Sequence, residues 1–359
     1  MGNFYSVNND FAHKDISLTG GTSVTISKDL DTADLILELS PKLEDLSVRE
    51  ISDLVTNKKK AVIIQTKSGS DLTKTVLEKY LGYELISENS SFEFTGSTLS
   101  ESFYKQLLIA IWVAFILMGL VVFLIFGESQ MIKSYSAILS LFVVKVAYTH
   151  MPFVNALSIF LLALSIPFTF YISMKKKQNY YLPSLFALLS LTFIIFPSLS
   201  IKFSTIIMLI VTLALAVIYV KNSIPSFAVI IAAFADILMT LVFINILEVR
   251  LSSAGIVAFL MLIGYSVDTD ILLTTRTLKR SEGSLNERMF SAFKTGITMT
   301  LTSSIAVGVA WFIVRSFSDV LGQIFMILFI GLGFDIFNTW ITNASILKWY
   351  AKRKGENRE

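Results

Sequence analysis

Six charged side chains interrupt long apolar segments in the last two thirds of the sequence. They are Lys145, Asp236, Asp268, Asp270, Lys294 and Asp335. An ionisable group at the centre of a membrane costs about 2.5–3.5 kcal/mol on insertion scales, which makes such residues candidates for function. Carboxylates of this kind can load and release a proton, with a lysine as counter-charge, so the pattern indicates a proton or ion path. Buried helix–helix pairs are the structural alternative.

The spacing of the aspartates limits which of them share a site. Asp268 and Asp270 are two positions apart, and on a helix they point about 200° from each other. We therefore expect one of them to face the protein interior and the other to meet water or a partner. A hydroxyl row follows Lys294 and serves either as helix-packing contacts or as a wet lining of the path. Its members are Thr295, Thr298, Thr300, Thr302, Ser303 and Ser304.

The composition excludes several classes of chemistry. The 359 residues include no cysteine and two histidines, His13 and His150. Disulfide scaffolds, thiolate metal sites and cysteine nucleophiles are therefore excluded, and a histidine zinc site or catalytic triad is not expected. We predict that the protein is not an enzyme and holds no metal or other cofactor.

Long apolar segments dominate the chain after residue 100. The composition is 54% hydrophobic and 16% charged, whereas soluble domains are about a quarter charged. The nine apolar stretches are 106–127, 131–149, 152–174, 180–200, 203–221, 224–247, 252–275, 289–314 and 319–347. Each has about 18–29 residues and can cross a hydrocarbon core of roughly 30 Å. Helices buried in a soluble protein would keep a polar face, so the sequence predicts an α-helical polytopic membrane protein.

The first 100 residues have the character of a separate soluble domain. They carry 10 basic and 15 acidic side chains, whereas residues 101–359 carry 20 basic and 12 acidic ones. β-forming runs occur at 22–27, 61–65 and 91–95. Helical spacing occurs over 43–54 and 70–77, the second with Ser70 and Asp71 as its cap. The alternation of strands and helices predicts an α+β, ferredoxin-like domain.

The basic residues orient the predicted helices. If residues 1–100 lie outside, the inner side receives fourteen basic residues and the outer helix ends receive four, which is a positive-inside bias. We therefore expect a multi-pass protein of the plasma membrane with an extracytoplasmic domain at 1–100 and a cytoplasmic tail at 351–359. Because no apolar segment precedes the polar first domain, we expect a transmembrane helix upstream of Met1 rather than translocation by the first long helix.

A thirteen-residue run from Gly264 to Arg276 resembles the signature of the SecF family, the smaller half of the SecD–SecF protein-export complex. The residues of this run are most similar to those of archaeal members, and Tyr265, Ser266 and Thr269 are further signature positions. Weaker similarities follow the family's order at 18–22, 92–106, 235–237, 295–304 and 331–345. Together the resemblance covers about 1–127 and 216–350.

The resemblance implies an RND-type membrane fold and a non-enzymatic subunit of protein export. The partners it implies are a SecD-like subunit, the Sec translocon and the exported polypeptide, in addition to membrane lipids and without nucleic acid. Bacterial members use the proton-motive force. The corresponding proton-path candidates in this chain are Asp236, Asp268, Asp270, Lys294 and Asp335.

The sequence also departs from the bacterial family pattern. The acidic position of the bacterial signature falls on Thr269, between two aspartates, and the arginine of the next helix falls near Lys294, which leaves proton coupling open. Four apolar stretches at 128–216 predict an extra membrane insertion between a transmembrane helix at 101–127 and a SecF-like core at 217–350. The alternative function is an RND-like transporter or lipid-handling protein that acts with a pseudo-symmetric partner.

Overall fold

The computed structural model describes five segments of the chain and isolated positions between 153 and 174. The segments are 11–28, 30–52, 59–148, 201–280 and 282–355, with only the backbone described at 201–205. The apolar stretches at 152–174 and 180–200 lie outside these continuously described segments. The insertion at 128–216 therefore stays a prediction.

The N-terminal domain is a four-stranded antiparallel sheet with strand order β2-β3-β1-β4. Its elements are α1 Ile16–Thr19, β1 Gly21–Ile26, α2 Thr32–Leu39, β2 Ser47–Ser52, β3 Lys59–Thr66, α3 Ser70–Leu81 and β4 Ser90–Thr95. After the short α1, two strand–helix–strand units follow each other, which is the ferredoxin-like arrangement. The predicted α+β class is confirmed.

Alternation along the strands divides the sheet into an apolar and a polar face. The core between the sheet and its two helices is made by Val24, Ile26, Leu35, Leu39, Leu43, Val62, Ile64, Leu77 and Leu85. The opposite face carries Ser23, Gln65 and Glu93 in one row across β3, β1 and β4. This polar face follows from the period of two in a strand.

The predicted helix over 43–54 is wrong. Its central part is strand β2, which pairs with β3, and the helix of this unit lies earlier, at Thr32–Leu39. Asp31 caps that helix by accepting a hydrogen bond from the Ala33 backbone at 2.9 Å. Sparse leucines fit a helix or a strand, and pairing with β3 decides between them. The helix predicted at 70–77 is confirmed, although its N-cap is Gly69 and makes no side-chain cap bond.

The remaining described elements are helices, most of them long and apolar. They are α4 Ser97–Phe126, α5 Gln130–Ala147, α6 Ile201–Asn222, α7 Ile224–Ile246, α8 Ser253–Lys279, α9 Leu285–Val314, α10 Asp319–Phe337 and α11 Ala344–Arg353, with a π-helix at Asn338–Asn343. By length and composition, six spans in the described segments can cross a membrane: α4, α5, α7, α8, α9 and the continuous Asp319–Arg353. The chain is therefore a multi-pass helical membrane protein.

The described residues fall into two compact units. The first is drawn from Met1–Leu108, Asp236–Leu262 and Met299–Phe334, and the second from Ile109–Ala235, Ile263–Thr298 and Asp335–Glu359. In the second unit, Phe123, Val143 and Tyr219 are buried in one cluster that joins α4, α5 and α6. Trp112 adds a hydrogen bond from its Nε1 to Thr212 Oγ1 at 3.0 Å.

In the first unit, the N-terminal domain is bound to the loop between α7 and α8 by backbone hydrogen bonds. The Leu251 amide donates to the His13 carbonyl at 2.6 Å, and the Asp15 amide donates to the Leu251 carbonyl at 2.9 Å. Arg49 on β2 also pairs with Asp319 at the start of α10, at 3.8 Å. The sheet is thus fastened directly to the ends of the membrane helices.

Asp45 makes an ionic contact between this domain and the loop. Its carboxylate accepts hydrogen bonds from Arg250 Nη2 at 2.8 Å and forms an ion pair with Lys67 Nζ at 3.0 Å. Partial burial favours the neutral acid, but the hydrogen bond from Lys67 and the charges of Arg250 and Lys67 outweigh it and lower the pKa of Asp45. The ionised form is therefore the one that fastens the loop.

Replacing Asp45 should make the stability of the first unit less dependent on pH. Because the pKa is lower in the folded state, the stabilisation is present at neutral pH and is lost as the pH falls below about 4. Solvent screening limits it to about 0.5–1 kcal/mol. Asp45→Asn keeps the left-handed backbone, with φ 52°, which asparagine tolerates.

The measurement is unfolding of the purified chain in detergent at pH 7 and pH 3. Asp45→Asn should be less stable than the wild type at pH 7, and this difference in stability should be smaller at pH 3. Glu88→Gln, at an exposed position, serves as the control for loss of one surface carboxylate. Equal stability differences at both pH values for Asp45→Asn would contradict the assignment.

Candidate functional site

Helix α8 carries a buried polar face along its middle. Ser266, Asp270 and Thr274 are spaced four residues apart, and all three are fully buried. Positions i and i+4 lie on the same side of a helix. Asp268 is exposed, as the opposite directions of Asp268 and Asp270 require. The Thr274 hydroxyl donates to the Asp270 carbonyl at 2.7 Å, within the helix itself.

A π-helix at Asn338–Asn343 separates α10 from α11. Such wider turns are rare and frequently occur at functional sites, and no proline lies between 319 and 353 to cause the irregularity. Asp335, Thr339 and Asn343 occur every four residues through this segment, and each is fully buried. The segment therefore gathers three polar side chains in the protein interior.

Asp270 and Asp335 share one hydroxyl. Thr339 Oγ1 lies 2.9 Å from Asp270 Oδ1 and 3.1 Å from Asp335 Oδ1. A hydroxyl has one proton and donates it to one acceptor at a time. Asn343 Nδ2 donates a further hydrogen bond to Asp270 Oδ1 at 2.7 Å. Two acidic side chains thus meet around a single threonine, and we call these four residues the acidic cluster.

Helix α9 packs closely against the π-helix at Trp340. A Cβ at Gly296 would clash with the Trp340 ring and would lie 3.3 Å from Thr269 Cγ2, so this approach requires glycine. Phe293 packs edge-on against Trp340, with ring centroids 5.1 Å apart. Thr269, at the position that is acidic in the bacterial signature, lies in this helix contact.

Arg276 fastens the end of α8 to α9. Its Nη1 donates to the Ser291 carbonyl at 2.8 Å and to Thr295 Oγ1 at 2.7 Å. Both acceptors lie in the first part of α9, so the guanidinium bridges the two helices. Arg276, a residue of the signature, therefore contacts Thr295, the first residue of the hydroxyl row.

The other predicted positions stand apart from the acidic cluster. Gly264, Tyr265 and Lys294 are exposed, as Asp268 is. The backbone carbonyl of Lys294 accepts a hydrogen bond from the Thr298 hydroxyl at 2.7 Å. Of the five proton-path candidates, the structure brings together Asp270 and Asp335.

Asp236 belongs to the first unit and is described on its own. It is fully buried in α7, and its carbonyl accepts the Thr240 hydroxyl at 2.6 Å. Ala232 and Ala233, one turn earlier, are also buried. Small side chains beside an acid permit close helix packing.

Thr339 and Asn343 were not among the site residues predicted from the sequence. A signal for them exists, because polar residues recur at the fourth and eighth positions after Asp335 within an apolar segment. That spacing places them on the same helix face as the acid. The π-helix itself leaves no comparable mark in the residue types.

Comparison with known proteins relates part of the chain to protein export. Residues 190–353 match the family described as protein export membrane protein SecD/SecF, C-terminal. The chain is 49% identical to protein-export membrane protein SecF of Methanocaldococcus jannaschii over 135 residues, which are 37% of this chain and 48% of that protein. The SecF of Methanolacinia petrolearia is 50% identical over 135 residues, which are 37% of this chain and 47% of that protein. The chain spans about half the length of these relatives.

A solved structure shares the fold. The crystal structure of SecDF, a translocon-associated membrane protein from Thermus thermophilus, has a TM-score of 0.51 and 12% sequence identity, and covers 97% of this chain and 36% of that one. At this identity the likeness concerns the fold alone. The expected family resemblance and fold class are confirmed, and the matched residues contain the whole acidic cluster.

Removing the shared hydroxyl should destabilise the acidic cluster. Thr339→Val leaves two buried carboxyl groups without their common partner, and we expect a loss of about 1–3 kcal/mol. Thr339→Ser keeps the hydroxyl and should retain most of the stability. Thermal unfolding of the purified chain in detergent measures both, with Thr342→Val in the same π-helix as the control. A melting temperature for Thr339→Val equal to that of the wild type would argue against the shared hydrogen bond.

Proposed function

We propose that this chain is a SecF-like subunit that assists the export of polypeptides across the membrane. In this proposal residues 190–353 form a SecD/SecF C-terminal domain. The relatives named protein-export membrane protein SecF support this assignment. The observation that supports a mechanism for this subunit is that Asp270 and Asp335 form a buried pair within the matched helices. In this proposal the subunit moves protons and exported polypeptides, and it does not catalyse the cleavage of a bond.

The acidic cluster is suited to hold and pass one proton. With the proton on Asp335, that carboxyl donates to Thr339, whose hydroxyl donates to ionised Asp270. With the proton on Asp270, both hydrogen bonds reverse. Burying two neighbouring negative charges is costly, so the pair is suited to share one proton. A gradient supplies about 2.3 kcal/mol per charge for each 100 mV, enough to bias a domain motion.

An exposed polar face of α9, formed by Lys294 and Thr298, and the exposed Asp268 of α8 support a SecD-like partner in the membrane. Asp268, Lys294 and Thr298 are exposed on helices whose other exposed residues are mostly apolar. Contact of these charges with lipid is unfavourable, whereas polar groups of a partner helix would receive them. Helix α9 also has the lowest buried share of the six spans, at 6% of its apolar window, so a large surface is left for a partner.

Basic residues support the orientation of the subunit. Lys279, Arg280 and Arg288 surround the α8–α9 loop, and Lys352 to Lys354 end α11, so both lie on the cytoplasmic side of the plasma membrane. The N-terminal domain is then extracytoplasmic. There it meets the exported polypeptide as that polypeptide leaves the Sec translocon.

Cross-linking tests the SecD-like partner. The chain has no cysteine, so Thr298→Cys introduces a single reactive site on the polar face. In native membranes a maleimide that carries a benzophenone group should attach to this thiol and, on illumination, insert into a C–H bond of a SecD-like polypeptide. Ile297→Cys, turned about 100° away on the helix, should cross-link far less. A product containing two copies of this chain would contradict the proposal and favour the transporter alternative, and absence of any product would also contradict it.

Export assays test the proton coupling. Asp270→Asn and Asp335→Asn remove the proton-carrying groups with little change in shape, and should abolish the part of export that an uncoupler inhibits. Asp71→Asn, in the N-terminal domain, controls for expression and assembly. Asp236→Asn and Asp268→Asn show whether the path has further members. Unchanged uncoupler-sensitive export in all four membrane variants would refute proton coupling.

A further inference from the structure

A cavity of about 240 Å³ lies in the second unit where several helices end. Its apolar wall is formed by Ile125 and Phe126 at the end of α4, Pro225 at the start of α7 and Leu278 near the end of α8. The remaining wall contains Glu128, Lys279, Tyr350 and Lys354. The cavity therefore joins an apolar surface to charged groups at one end of the helices.

The charges around this cavity are mainly positive. Lys279 Nζ lies 3.2 Å from the Ile125 carbonyl and 5.3 Å from the centre of the Phe126 ring. Lys354 Nζ forms an ion pair with Glu128 Oε1 at 2.6 Å. The side chain of Lys133 lies beside Gly127: a Cβ added to this glycine would be 3.2 Å from Lys133 Cε. Lys279 and Lys354 thus line the cavity together with one glutamate, Glu128, and Lys133 lies nearby at Gly127.

The ion pair of Glu128 with Lys354 is placed so that another anion can replace it. The hydrogen bond between them lowers the pKa of Glu128 and raises the pKa of Lys354. Their side chains are 72% and 51% exposed, and an ion pair so exposed to solvent contributes little to folding. An anion that enters the cavity therefore competes with Glu128 for Lys354 at small cost to the fold.

We propose that this cavity binds the phosphate of an anionic membrane lipid. Lys279 and Lys354 contact the phosphate, and Phe126 and Leu278 lie against the first part of the acyl chains. Basic pockets between transmembrane helices bind such headgroups, and lysine binds phosphate as a point charge. At about 30 Å³ for each water, the cavity has room for a phosphate group. Free phosphate shares the ionic contacts, but the apolar wall suits a lipid. This site is independent of the proposed export function.

The test measures binding of phosphatidylglycerol to the purified full chain by native mass spectrometry, with phosphatidylcholine as the uncharged reference. In Lys279→Gln/Lys354→Gln the affinity for phosphatidylglycerol should fall roughly 10- to 30-fold, as expected for two lysines near a headgroup. Lys352→Gln, two residues before Lys354 but outside the cavity, should bind as the wild type does. Glu128→Gln removes the competing carboxylate and should strengthen binding about threefold.

The outcomes separate the sources of the phosphate. Inorganic phosphate should not displace phosphatidylglycerol from the wild-type chain. Equal phosphatidylglycerol affinities in the double variant and in Lys352→Gln would overturn the proposal. Equal retention of phosphatidylglycerol and phosphatidylcholine, or full displacement by inorganic phosphate, would also overturn it. If the double variant fails to fold, the tighter binding expected for Glu128→Gln still decides the question.

Discussion

A carboxyl group among apolar helices must receive its hydrogen bonds from the protein, because hydrocarbon provides none. Asp270 receives them from Thr339 and Asn343, and both side chains lie in the π-helix. That segment packs against α9 because Gly296 leaves space for Trp340. A single polar requirement on α8 thus accounts for an irregular helix and for a glycine on a third element.

The membrane part of the fold is largely predictable because its signal is long. Segments of about twenty apolar residues have few alternatives, and the described helices α4 to α10 lie where apolar stretches were expected. The opposed directions of Asp268 and Asp270 were also predictable, since the geometry of one helix determines them. Contacts within a single element are available from sequence in this way.

Contacts between elements were harder to predict. The run around Leu43 and Leu46 has helical spacing, but β2 forms nearby because β3 provides an edge to pair with. The neighbourhood of Asp270 depends on residues more than sixty positions away, which no local period reveals. Lys294 and Asp270 are both proton-path candidates by residue type, but the side chain of Lys294 is exposed whereas that of Asp270 is buried. Burial depends on packing between helices, which residue type does not reveal.

The order in which the acidic cluster is synthesised has a consequence for membrane insertion. The ribosome makes Asp270 sixty-five residues before Asp335, so α8 enters the bilayer before the π-helix exists. Asp270 must at that stage cross the apolar layer without Thr339 and Asn343, at a cost of about 2.5–3.5 kcal/mol. The many apolar residues of α8 offset that cost. The cluster is completed only when the Asp319–Arg353 span arrives, so the partners of Asp270 form after α8 has been inserted.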